Sequence, residues 1–141
     1  MHAGHSITEL LIALVLIGTL LGIAAPRFGA LTDHAVVRGA SAELATMLSA
    51  TRRAALLRSA PASLLLDTTR ARAVMVSGTD TLLARAIAGG AERVRLLATR
   101  DTIRYGPGGR GLGASNATLI VRRGRVADTL WISRLGRVRA R

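Results

Sequence analysis

The hydrophobic pattern opens on a block without charge. Sixteen consecutive residues from Leu10 to Ala25 carry no charged side chain, and Pro26 follows. A helix that is apolar all round has to be covered on every side, by protein or by lipid. At about 1.5 Å per residue, 10–25 covers about 24 Å and 5–25 about 31 Å, and only the longer stretch matches a hydrocarbon core near 30 Å. Glu9 therefore falls inside the apparent span, where an ionised carboxylate costs about 2.5–3.5 kcal/mol. That carboxylate needs a partner.

Beyond Pro26 the periodicity changes. Val37, Ala40, Leu44, Met47, Leu48, Thr51 and Ala55 recur at steps of three and four and so share one helical stripe, with Glu43 and Arg53 off its centre. Gly29 and Gly39 weaken a helix by about 1 kcal/mol each relative to Ala, and Pro26 is placed to kink it. Pro61 ends it. Short Val-, Ile- and Leu-rich runs between turn residues then predict strands at 62–66, 71–76, 81–87, 93–98, 102–105, 118–122 and 125–133. Val94 and Leu96 alternate with Arg93 and Arg95, as on a strand with one wet face, and Arg123-Gly124 marks a hairpin turn. The expected fold class is α+β: a long N-terminal helix, kinked at Pro26, whose second half packs on a mainly antiparallel β-sheet domain. Its segments are a transmembrane-length helix at 5–26, an amphipathic continuation at 27–60 and a β-rich domain at 61–141.

Composition changes this picture in two ways. The 141 residues allow the helix and one small domain, and without cysteine they form no disulfide, thiol nucleophile or thiolate metal site. All 20 basic residues are Arg against 8 acids, a net charge of +12. A domain so charged is drawn to polyanions such as nucleic acid, anionic lipid or acidic polymers. The absence of Lys marks a compositional bias, so Arg enrichment alone does not assign a function.

The residues at the start carry a resemblance. Gly4, then Glu9 as the fifth residue after it, the run Leu10-Leu11-Ile12-Ala13-Leu14-Val15-Leu16-Ile17-Gly18, and Pro26 resemble the class III signal of type IV pilins and type II secretion pseudopilins. The resemblance implies a leader at 1–4, cleavage by prepilin peptidase between Gly4 and His5, and N-methylation of His5. It also implies that Glu9 serves filament assembly. The chemistry is consistent: a carboxylate beside a neighbouring subunit's N-terminal ammonium gains about 4 kcal/mol at 4 Å and an effective dielectric near 20, and neither charge is stable alone in an apolar bundle. An ordinary secretory signal fits less well, because Gly22 and Ala24 make a poor cleavage site.

Later residues narrow the resemblance. Ala50-Thr51-Arg52-Arg53-Ala54-Ala55-Leu56-Leu57-Arg58, Pro61 to Leu64, Gly109 to Gly113, Ala117 to Val121, and the closing Ile132-Ser133-Arg134-Leu135-Gly136-Arg137-Val138-Arg139 are similar to the GspH/FimT branch of pseudopilins and minor pilins. That implies a pilin-like fold and a non-enzymatic structural subunit, either of a type II secretion pseudopilus or of a type IV pilus. Its implied partners are prepilin peptidase, other pilin subunits and the bacterial inner membrane, crossed once with the C-terminal domain in the periplasm.

The remaining candidates for chemistry are few. Tyr105–Asn116 holds five glycines in twelve residues but lacks the Lys of a phosphate-binding loop, which predicts a mobile connection between strands. His34 stands alone and the acids are scattered, without metal-ligand or paired-carboxylate spacing, so no catalytic residue, metal or cofactor is expected. Residues 122–141 are different: they contain Arg122, Arg123, Arg125, Arg134, Arg137, Arg139 and Arg141 against the single acid Asp128. In an extended end, Arg137, Arg139 and Arg141 share a face and Val138 turns to the core. Such a row suits a phosphate backbone. Gly136-Arg137-Val138-Arg139 also matches a terminal Gly-Arg-x-Arg element that contributes to DNA capture in transformation-associated members of the FimT-like branch. The resemblance thus offers an alternative reading, a DNA-binding minor pilin of a DNA-uptake pilus.

Overall fold

Ser6 starts the helix: its carbonyl accepts the N–H groups of Glu9 at 2.9 Å and Leu10 at 3.2 Å. The computed structural model describes residues 6–89, 94–113 and 116–140, without the side chains of 23–28 and Gly89. Gly4, His5, Arg141 and the Pro26 side chain lie outside the described residues. The chain divides into two compact units, Met1–Thr32 and Asp33–Arg141. The helix α1 (Ile7–Leu57) contributes to both.

In the first unit every residue from Ile7 to Gly22 is exposed. Glu9 occupies the first turn, where the partial positive charge of the helix N-terminus favours a carboxylate. Among the described residues no helix is long and apolar enough to cross a membrane. The apolar run with described side chains stops at Gly22, short of the about 20 residues a span requires, and both ends of the expected 5–26 segment fall outside it.

In the second unit the helical stripe meets the sheets. Val37, Ala40, Leu44, Met47, Leu48, Thr51 and Ala55 are all buried, and Ser41 joins them. The Thr51 hydroxyl satisfies itself by donating to the Met47 carbonyl at 2.7 Å. The helix stops at Leu57, ahead of Pro61, because Ser59 turns left-handed with φ +48°. Ser59 N–H then reaches Leu56 O, and Ala60 N–H reaches Ala55 O, both at 3.3 Å. This reversal closes the last helical carbonyls.

Eight strands follow: β1 (Ala62–Asp67), β2 (Arg72–Ser77), β3 (Asp80–Ala86), β4 (Arg95–Ala98), β5 (Thr102–Tyr105), β6 (Ala117–Arg123), β7 (Val126–Ile132) and β8 (Val138–Ala140). They form two four-stranded antiparallel sheets, β3-β2-β1-β5 and β4-β6-β7-β8. The split arises because β5 returns beside β1, with Leu64 opposite Ile103, while β4 pairs with β6 across the glycine-rich loop. Inward residues Leu64, Ile103, Leu119, Val121 and Leu130 pack with Leu44 and Leu48 in one core. Each such side chain contributes about 1.5–3 kcal/mol on leaving water.

Candidate functional site

The arginines of 122–139 lie in one stretch of sequence but fall into two groups in space. β6 and β7 join at Gly124-Arg125, so Arg122, Arg123 and Arg125 sit at the hairpin end of the second sheet, and Arg134, Arg137 and Arg139 lie at its other end. The length of β7 keeps the groups about 20 Å apart.

At the hairpin end arginine is structural. Arg123 Nε lies 2.8 Å from Asp33 Oδ1 on the helix, with both side chains half-buried. Gly124, at φ +56°, fits against the same carboxylate; a Cβ there would sit 2.8 Å from Asp33 Oδ2. Arg122 Nε donates to Gly124 O at 3.2 Å, and Arg125 is exposed on the turn. Arg123, offered by the sequence as a candidate DNA-binding residue, instead ties the hairpin to the helix through its guanidinium.

The opposite end is built around Gly136. This residue is buried at φ +72°, and a Cβ would lie 3.0 Å from Tyr105 Cε1, 3.1 Å from Gly109 O and 3.2 Å from Arg52 Nε. Arg52 Nε donates to Gly109 O at 2.7 Å, and Gly111 N–H donates to Arg134 O at 3.0 Å. The glycine-rich loop is thus not a loose connection over its described part. Gly106 N–H donates to Arg110 O at 2.8 Å and Leu112 N–H to Arg104 O at 2.9 Å, and the loop is tied to both the helix and the β7–β8 turn. Within that turn Ser133 N–H donates to Arg137 O at 3.0 Å while Arg137 N–H returns to Ser133 Oγ at 3.2 Å. Burial pushes the Tyr105 phenol above its ordinary pKa, against the pull of the Arg52 charge.

From this base β8 runs antiparallel to β7, with Val138 opposite Ile132 and Arg139 opposite Trp131. Val138 packs on the core, whereas Arg137 and Arg139 are exposed, as the alternation predicts. They border a groove whose helix side is Ala45, Thr46, Ser49, Arg52, Arg53 and Leu56 and whose sheet side includes Thr118, Trp131 and Leu135. Among the described residues no Asp or Glu lines it. The described ion pairs engage Arg58, Arg70, Arg85 and Arg123, so Arg53, Arg137 and Arg139 have no carboxylate partner among the described residues. Unpaired guanidiniums in an acid-free groove attract an anion with little competing attraction from the protein.

Arg53 and Trp131 are the members that pattern reading along the chain missed. Arg52-Arg53 beside the buried Thr51 was the available signal, but only the fold shows which strand faces that turn of the helix. Among the described residues no three of His, Asp or Glu come together as metal ligands would.

The same helix and paired sheets occur in crystal structures of the type IV minor pilin FimU of Pseudomonas aeruginosa. One, in space group P21, matches with a TM-score of 0.66 at 16% identity, covering 79% of this chain and 92% of that chain. Another, in P65, matches with a TM-score of 0.62 at 14% identity, covering 74% and 91%. The fold is the type IV pilin fold. No family model and no curated protein sequence matches the chain. At such low identity the likeness is one of fold, and groove residues are free to differ.

Proposed function

We propose that the chain is a minor pilin or pseudopilin of the GspH/FimT type, a non-enzymatic structural subunit of a type IV pilus or a type II secretion pseudopilus. The observation that carries this reading is the pilin fold joined to an exposed apolar helix with one carboxylate in its first turn. Prepilin peptidase cuts between Gly4 and His5, His5 is N-methylated, and the apolar segment holds the subunit in the inner membrane, with the sheet domain in the periplasm, until it enters the filament. Pro26 bends the helix as it leaves that apolar environment. Glu9 pairs with a neighbour's N-terminal ammonium. Glu9→Ala is then expected to leave cleavage intact, by mass spectrometry of the N-terminus, and to deplete the subunit from sheared filaments. Normal incorporation of that variant would remove the role assigned to Glu9.

A second reading has its own observation. The groove with Arg53, Arg137 and Arg139, in which no described residue is acidic, fits a minor pilin that binds DNA by its phosphates. Replacing Arg137 and Arg139 together by Ala should weaken binding to duplex DNA and reduce the log–log salt slope by nearly two, because each lost phosphate contact removes about 0.9. An unchanged slope would take the site away from these residues.

A further inference from the structure

The groove does more than collect positive charge. Trp131 stands in it, 43% exposed, on the strand position directly opposite Arg139. An indole on a sheet surface without a ligand leaves apolar area in water that a smaller residue would not. On its helix side the groove is lined by the small residues Ala45, Thr46 and Ser49. Arg137 and Arg139 come from the β7–β8 end of the sheet and Arg53 from the helix, and all three line the same groove as the indole.

We propose that this groove takes single-stranded nucleic acid, with one base stacked on Trp131 and the adjoining phosphates held by Arg53, Arg137 and Arg139. The proposal rests on the DNA-binding reading above and specifies which form of DNA the site selects. A base reaches an indole only when it has left its own stack, so a duplex meets the arginines and not the ring. A single strand meets both, and stacking adds to phosphate contact. Arg52 is a positioning residue: its Nε is held by Gly109 O, which fixes the helix against the loop under Gly136.

The sole tryptophan of the chain makes the test direct. The full chain in detergent micelles is titrated with oligothymidine of about twenty nucleotides, with duplex DNA of matching length, with inorganic polyphosphate and with polyglutamate. Oligothymidine is expected to quench the Trp131 fluorescence, with polyphosphate and duplex leaving it nearly unchanged. Its log–log salt slope should be about −2, from three phosphate contacts at about −0.7 each. Trp131→Leu, its fold checked by circular dichroism, should weaken oligothymidine binding about 5- to 100-fold and leave duplex binding within about twofold. Oligothymidine that binds without quenching, or binds Trp131→Leu equally well, overturns the stacking role and leaves the DNA reading in place. If neither DNA binds at low salt, both fall. Polyglutamate binding more tightly than oligothymidine would also overturn the proposal and assign the groove to an acidic protein partner.

Discussion

The two ends of the second sheet carry the same residue type and use it in opposite ways. At the β6–β7 hairpin, Arg123 is half-buried against Asp33, and Gly124 is small enough to let the carboxylate approach. At the other end Gly136 is the buried residue, and Arg137 and Arg139 beside it stay exposed and without carboxylates among the described residues. An arginine close to a fixed carboxylate is a structural tie, and one held by backbone geometry away from any acid remains available to a ligand. Local charge density does not tell the two apart; what stands within a few ångströms does.

The comparison is broken most severely at Gly136. Gly136→Ala forces a Cβ into a left-handed position already closed by Tyr105 and Gly109, and should cost about 2–3 kcal/mol in urea unfolding. It should weaken DNA binding as well, because the turn that sets Arg137 and Arg139 moves with it. An unchanged urea midpoint would mean that the turn is not the foundation of this end. A smaller effect is expected at the hairpin, where Arg123→Ala should cost about 1 kcal/mol, given that the pair is only half-buried. Its exposed neighbour sharpens the contrast: Arg125→Ala should move stability by less than about 0.5 kcal/mol. Equal losses for Arg123 and Arg125 would deny Arg123 its structural role.

The mildest probe is pH. Because burial raises the Tyr105 phenol, the unfolded chain loses this proton first, near pH 10. Stability from keeping the neutral phenol is complete below that value and declines as pH rises through the folded pKa. Tyr105 is the only tyrosine, so ultraviolet titration of native and urea-unfolded chain reports it alone, with tyrosinate appearing at higher pH in the native state. Coincident titrations would mean that the Tyr105 phenol is already solvated in the native state.

Much of the fold was legible along the chain because burial there has a local period. The stripe from Val37 to Ala55 followed from three- and four-residue spacing, and seven strand regions followed from short apolar runs. The end of α1 did not, since Ser59 adopts a turn usually left to glycine and stops the helix before Pro61. The glycine-rich loop was open to misreading for a related reason: glycine permits many paths, and only contacts with Arg52, Arg104 and Arg134 select this one.

The sequence by itself determined the apolar helix with Glu9 near its start, the amphipathic continuation, the strand-rich remainder and the excess of arginine. These depend on side-chain type and on spacing within one element. Tertiary structure alone decided that the strands form two sheets, that Arg123 pairs with Asp33 across the domain, and that Arg53, Trp131, Arg137 and Arg139 border one groove. Those outcomes depend on which distant segments pack together, and the energy that selects them comes from the shared core rather than from any one stretch of chain.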